Sequence, residues 1–436
     1  MSVRGAAAER HGEWFGEARF GMFIHWGLYS LGARHEWLQS REFMSREAYR
    51  KYFDRFDPDL YDPHAWAKIA AEAGMKYMVV TSKHHEGFCL WDSRLTDYKA
   101  TNTPAGRDLL APLLEAFRAE GLRTGLYYSL LDWHHPDYTV DVKHPRRYDP
   151  EYVAKDKERN WQRYVDYMHG QVRELLTNYG DIDVMFLDFS IPAEEGFPGK
   201  GRNEWQSERL VEMIRRLRPN MLINDRLDVP GDITTPEQYQ PRGAIRIDGR
   251  PVRWEACHTF SGSWGYYRDE ESWKSADQIL RMLNDTVSKG GNFLLNVGPN
   301  GRGELDERAV ARLREIGGWM RLHGRAIYGC TSAPDDLPPC PADCRFTYNP
   351  KTNRLYLHLF AWPFKHLHLP KFSGLVEYAQ LLNDASEIRM IAGERKMTME
   401  AGAFDEGRPA DMLTLQLPVK KPNVDIPVIE LFLKQR

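Results

Sequence analysis

One unit recurs along the chain: an amphipathic helical stripe, a stop, and then a short run of apolar residues. Trp66, Ile69, Ala70 and Ala73 keep helical spacing up to Gly74, and the apolar run 77–80 comes next. Leu109, Leu113 and Phe117 precede Gly121 and the run 122–128 in the same way. The stripe Trp161, Tyr164, Val165, Met168, Val172, Leu175 ends at Gly180 before Val184-Met185-Phe186-Leu187. Leu210, Met213, Ile214 and Leu217 lead into 221–224, and Ile279, Leu280, Leu283 and Val287 lead across Gly290-Gly291 into 293–296. Helical periodicity alternating with short, wholly apolar runs predicts parallel strands covered by helices on the outside. An open doubly wound sheet and a closed (β/α)8-like barrel both satisfy this pattern. More than five such units in about 330 residues, with no G-x-G-x-x-G loop after the first strand, favour the barrel.

After the helical spacing of Val310, Leu313, Ile316 and Met320 the pattern changes. Residues 330–344 are rich in proline and aspartate, and the segments 354–359, 412–417 and 428–433 alternate as antiparallel strands do. The expected organisation is an α/β barrel over 1–330 and a small C-terminal β-sandwich over 331–436. A chain of 436 residues is long enough to bury both cores. Its net charge of −3, with both signs scattered, supplies no basic face and argues against nucleic acid or membrane as a partner. Five cysteines imply no disulfide framework, although Cys340 and Cys344 are near enough in sequence to pair. The polar stretch 1–14 lacks the apolar core of a secretory signal and no segment has the length to span a bilayer, so the expected location is cytoplasmic. The sequence leaves a homo-oligomer open.

In a parallel barrel the reactive groups lie at the carboxyl ends of the strands, so the residues just past each apolar run decide the chemistry. The run 20–24 ends in His25-Trp26-Gly27, and the run 77–80 leads to Lys83-His84-His85-Glu86. The third carries Tyr127-Tyr128, the fourth ends in Asp188, and the fifth ends in Asn224-Asp225-Arg226. Asp188 directly succeeds four apolar residues, a setting that is costly for a carboxylate unless it is paired. A second carboxylate has to come from beyond the fifth strand, where Glu237 and Glu255 compete. Two carboxyl groups among histidines, tryptophans and an arginine suit glycosidic bond hydrolysis, with polar groups on the sugar hydroxyls and rings on its apolar face. A metal-dependent hydrolase would use similar residues, but adjacent histidines on a strand face opposite ways, which argues against chelation by His84 and His85. A non-catalytic sugar-binding protein would keep the rings and histidines and have no need of both carboxylates.

Several stretches, in order, resemble the α-L-fucosidases of glycoside hydrolase family 29. They are Arg19-Phe20-Gly21-Met22-Phe23-Ile24-His25-Trp26-Gly27, Glu36-Trp37, Lys83-His84-His85-Glu86-Gly87-Phe88, Gly125-Leu126-Tyr127-Tyr128-Ser129, Trp254-Glu255, Ser263-Trp264-Gly265-Tyr266, Val287 through Pro299, and Ala326-Ile327-Tyr328-Gly329. The resemblance implies a (β/α)8-like barrel followed by a β-sandwich, acting on a fucosylated oligosaccharide or glycoconjugate. It implies Asp188 as the nucleophile of a retaining double displacement, with Glu237 favoured over Glu255 as acid/base. It further implies His25, Glu36, Trp37, His84, His85, Tyr127, Phe186 and Arg226 as walls of the fucose pocket, with neither metal nor cofactor expected. The chain departs from the family at two positions, carrying Phe186 where tryptophan is usual and Phe189 where glycine is frequent. Strand alternation lets only one of Tyr127 and Tyr128 face inward, with Tyr127 preferred. Phe23 shares the face of His25 and is a candidate contact for the fucose methyl group, the feature that would set a fucosidase apart from a galactosidase of the same architecture.

Overall fold

A computed structural model of the chain describes residues 11–194, 196–392 and 409–435. The apolar runs form seven strands, β1 (Phe20–Ile24), β2 (Tyr77–Lys83), β3 (Arg123–Ser129), β4 (Val184–Asp188), β5 (Leu222–Ile223), β6 (Glu255–Thr259) and β7 (Asn292–Val297). They pair in parallel throughout, in the spatial order β5-β4-β3-β2-β1-β7-β6. The edge strands β5 and β6 are joined by the segment 233–238, which bridges to both in parallel: Asn224 to Ile233 on one side, Thr234 to Trp254 and Glu237 to Cys257 on the other. With that segment as an irregular sixth position, the expected (β/α)8-like barrel closes. The irregularity has local causes. Pro236 has no amide hydrogen for a ladder, and Gln238 adopts φ 57°.

Six longer helices cover the barrel: α1 (Pro63–Glu72), α2 (Leu110–Ala119), α3 (Trp161–Asn178), α4 (Ser207–Leu217), α5 (Ala276–Ser288) and α6 (Glu307–His323). They match the helical stripes read from the sequence. Four start on side-chain caps, Asp62 ahead of Pro63 at α1, Asn160 at α3, Ser275 in a capping box at α5 and Asp306 at α6. Among the described residues no helix comes between β5 and the segment 233–238 or between that segment and β6, so this quarter of the barrel is covered by loops.

Alternation along the strands sorts the core into two. Met22, Ile24, Met78, Val80, Tyr128, Met185, Leu187, Phe293 and Leu295 pack under the helices. Phe23, Tyr77, Val79, Tyr127, Val184, Phe186, Leu222, Ile233, Cys257 and Leu294 fill the barrel interior. The period of two then carries polar groups inward at the carboxyl ends: His25 two residues after Phe23, Asp188 two after Phe186, Asn296 two after Leu294, and Glu237 four after Ile233. Tyr127, not Tyr128, is the inward tyrosine.

The C-terminal strands are β8 (Cys344–Asn349), β9 (Arg354–Leu359), β10 (His366–Leu369), β11 (Val376–Leu381), β12 (Arg389–Ala392), β13 (Leu413–Gln416) and β14 (Val428–Leu433). They make two antiparallel sheets, β8-β9-β14-β11 and β10-β13-β12, around a core that includes Phe346, Leu357, Phe372, Leu415 and Leu431. Arg345 pairs with Asp285 of α5, and Trp319 of α6 donates to the Ile426 carbonyl, fastening the sheets to the last barrel helices. All five cysteines are free thiols, so Cys340 and Cys344 do not pair. The part of the polar amino-terminal stretch at 1–10 lies outside the described residues. Among the described residues no helix is long and apolar enough to cross a membrane.

Candidate active site

Three inward groups meet at the end of β4. Tyr127 donates its hydroxyl to Asp188 Oδ2 at 2.8 Å, and Arg226 Nη1 donates to Asp188 Oδ1 at 2.7 Å. The other terminal nitrogen of the same guanidinium lies 2.7 Å from Glu237 Oε2 and donates to the Thr235 carbonyl at 3.3 Å. One cation thus joins the two carboxylates. Burial opposes the charge of Arg226, but Asp188 and Glu237 outweigh it and hold the guanidinium pKa above its usual value. Burial and the adjacent Asp188 keep the Tyr127 phenol protonated, as a donor must be. The Asp188 side chain is 10% exposed and that of Glu237 40%, so the pair spans from the barrel floor to the solvent side of the cleft.

The histidines are oriented from behind. His25 Nδ1 lies 2.7 Å from the amide oxygen of Asn296, which accepts, so the ring proton sits on Nδ1. His85 Nδ1 lies 2.7 Å from Ser129 Oγ. Ser129 spends its own hydroxyl proton on the Leu131 carbonyl at 2.9 Å, so its oxygen accepts from His85. His84 turns Nδ1 towards Glu86 Oε2, 3.4 Å away. In His25 and His85 the Nδ1 proton leaves Nε2 as an acceptor for a hydroxyl. Burial first, and the neighbouring His84 next, hold His25 and His85 well below the ordinary imidazole pKa and therefore neutral. His84 and His85 do not face opposite ways as alternation suggested. β2 ends at Lys83, the pleat no longer applies, and the two rings lie 3.9 Å apart.

Glu36 works through a loop distant in sequence. Its Oε2 accepts from Ser263 Oγ at 3.0 Å and from the amides of Trp264 and Gly265 at 3.1 and 2.9 Å, while its buried Oε1 has no hydrogen-bond partner among the described residues. This contact sets the Trp264 ring 5.0 Å from that of His25 and 5.8 Å from Phe23. Phe186 lies 5.2 Å from Phe23 and stacks with Tyr127 at 5.7 Å, completing an apolar floor of four rings. Trp37 meets His85 edge-on at 4.7 Å and packs against Trp133 and Phe189, each at 5.4 Å. Phe189 holds φ 86°, a conformation easy for glycine and strained for a bulky residue.

All ten expected site residues therefore gather at one end of the barrel. Trp264, Phe189, Asn296, Ser129 and Glu86 belong there too and were not singled out as site residues in the sequence. Asn296 carried a usable signal, being two residues beyond interior Leu294.

Glu255 lies elsewhere. It is the first residue of β6, at the amino end of the barrel, buried, and accepts a hydrogen bond from Tyr77, the first residue of β2. Burial pushes its carboxyl up to about 7. Because that value exceeds the roughly 4.3 of an unfolded glutamate, the native state holds an extra proton between the two, and stability falls as pH rises through about 4 to 7. Glu255→Gln is expected to remove this slope, leave turnover near wild type, and raise unfolding free energy above pH 7 by on the order of 3 kcal/mol. Denaturant midpoints against pH check it, and a slope identical to wild type would refute it.

A parallel barrel that presents two carboxylates on a shared guanidinium, beside neutral imidazoles and a floor of aromatic rings, has the equipment of a glycoside hydrolase. The family model described as Alpha-L-fucosidase matches residues 2–325. The chain belongs to that family, family 29 of the glycoside hydrolases, and its activity is that of an α-L-fucosidase. An α-L-fucosidase from Dictyostelium discoideum is 27% identical over 455 residues, covering 96% of this chain and 91% of its own. The solved structure of α-L-fucosidase isoenzyme 1 from Paenibacillus thiaminolyticus superposes with a TM-score of 0.89 at 45% identity, covering 98% of this chain and 99% of its own. A Bacteroides thetaiotaomicron family 29 α-L-fucosidase, trapped as a covalent intermediate with 2-fluoro-fucosyl fluoride, superposes with a TM-score of 0.82 at 27% identity, covering 100% of this chain and 98% of its own.

Proposed function

We propose that this enzyme releases terminal α-L-fucose from fucosylated oligosaccharides or glycoconjugates with retention of configuration, Asp188 acting as nucleophile and Glu237 as acid and then base. The observation that carries this is the single guanidinium of Arg226 bonded to both carboxylates, an arrangement that suits the short separation of about 5 Å typical of retaining enzymes. The covalent intermediate trapped in the Bacteroides relative supports the same chemistry.

In the first step Glu237 gives its proton to the departing oxygen while an Asp188 oxygen forms a bond to the anomeric carbon from the opposite face. Asp188 loses its charge as the ester forms, and Glu237 gains one as it loses its proton. The pair carries one negative charge before and after, and Arg226, touching both, balances it without moving. In the second step Glu237 takes a proton from water, which attacks the anomeric carbon and restores the α configuration and the Asp188 carboxylate.

The rest of the pocket reads the sugar. Nε2 of His25 and of His85 accepts from its hydroxyls, and the His84 ring bonds to them beside these two. Phe23, Tyr127, Phe186 and Trp264 take the C6 methyl group. A hydroxyl at C6 would lose its water there and find no partner on Phe23 or Phe186. Phe186 fills the place of the more usual tryptophan without offering an indole N–H. The reading is tested by proton NMR of the first product: α-L-fucose is expected to form ahead of mutarotation, and initial β-L-fucose would overturn the double displacement.

A further inference from the structure

We infer that Gln238 is a positioning residue for Glu237, holding the acid/base over Arg226 through a strained backbone turn that its side-chain amide anchors to Thr259. The inference rests on the proposed role of Glu237.

Glu237 stands on the one irregular strand of the barrel, with no helix behind it among the described residues, and is substantially exposed. Regular architecture does little to fix it. What does is a bracket: the Cys257 amide donates to the Pro236 carbonyl at 3.1 Å, and the Gln238 amide donates to the Cys257 carbonyl at 3.0 Å. At Gln238 the chain turns to φ 57°, a left-handed conformation that non-glycine residues seldom adopt, and the parallel pairing ends. The next rung is supplied by a side chain. Gln238 Nε2 donates to Thr259 Oγ1 at 2.8 Å, and its Oε1 accepts from the Thr259 amide at 3.4 Å, so the carboxamide stands in for a peptide group against the last residue of β6. Thr259 is fully buried, and its hydroxyl donates onward to the Ser261 carbonyl. The anchor is therefore rigid, while Tyr239 on the far side of the turn is 58% exposed.

Asp188 is followed by a left-handed residue as well, Phe189, whose ring is gripped by Trp37 and His85. Backbone strain immediately after both carboxylates, each time clamped by a side chain, is where strain serves to aim a functional group. Without the amide anchor the turn at 238 relaxes and the Glu237 carboxyl leaves the line to the departing oxygen.

The test compares Gln238→Ala, Gln238→Gly, Thr259→Val and Glu237→Ala on phenyl and 2,4-dinitrophenyl α-L-fucosides. The phenyl substrate needs a proton donor and the dinitrophenyl one does not. Gln238→Ala and Thr259→Val are expected to lose about tenfold to a hundredfold in kcat/KM on the phenyl fucoside and less than about threefold on the dinitrophenyl fucoside. Azide is expected to leave Gln238→Ala unaffected, because its carboxylate remains, while accelerating Glu237→Ala. Gln238→Gly accepts the backbone turn but lacks the anchor, so it should fold at least as well as Gln238→Ala and show the same selective loss. Wild-type rates in Gln238→Gly on both substrates would overturn the inference. So would a wild-type leaving-group dependence in Gln238→Ala while Glu237→Ala shows a steep one. A flat dependence in Glu237→Ala would instead remove the acid/base reading beneath it.

Discussion

Asp188→Gly is expected to stop fucoside hydrolysis, lowering kcat by roughly ten-thousandfold or more, because in the proposed double displacement it removes the atom that bonds to the anomeric carbon. The loss should be chemical and not structural. Arg226 keeps its contacts to Glu237 and the Thr235 carbonyl when Asp188 is gone, so no buried cation is stranded, and the phenol of Tyr127 faces an open cleft. Far-ultraviolet circular dichroism should match wild type. The missing carboxymethyl group leaves room for a small anion beside the guanidinium, and azide added with an activated aryl fucoside should restore part of the turnover. Attack from the Asp188 side makes the product β-L-fucosyl azide, inverted relative to the substrate. α-L-Fucosyl azide, or undiminished hydrolysis by the folded variant, would rule out Asp188 as nucleophile.

Glu237→Ala is expected to show the complementary pattern. Loss of proton donation should slow substrates with poor leaving groups by about a hundredfold or more, and activated aryl fucosides much less in the glycosylation step. Here azide enters from the solvent side, attacks the fucosyl–Asp188 ester, and gives the retained α-L-fucosyl azide. The two variants thus differ in the configuration of one product. Glu255→Ala serves as the control, since its carboxyl lies at the far end of the barrel bonded to Tyr77. If Glu255→Ala showed selective loss on poor leaving groups and Glu237→Ala did not, the two roles would have to be exchanged.

Much of the candidate site is legible in the sequence because hydrophobic periodicity is a local signal. Short apolar runs marked where β1 through β4 lie, and a parallel barrel turns the residues at their carboxyl ends into its cleft. His25, Tyr127 and Asp188 obey that rule and the parity of Phe23 and Phe186. The same rule failed for His84 and His85, since it was carried past Lys83, where the strand had stopped. It was silent on the segment 233–238, whose threonines, proline and αL glutamine carry no strand pattern, and so on which glutamate stands beside Asp188.

The alternation of strand and helix, the two-part organisation it implies, and the chemical character of each strand end are encoded among residues within a few positions of one another, and so are legible in the chain alone. Long-range contacts put Glu237 on the guanidinium of Arg226 that Asp188 also uses, and Glu255 at the opposite end. They also let Glu36 fix Trp264 across 228 positions of chain and bring three imidazoles together. These are matters of barrel closure and of hydrogen bonds between distant segments. The partners of such bonds come within reach only after the chain has folded, and no local periodicity records them.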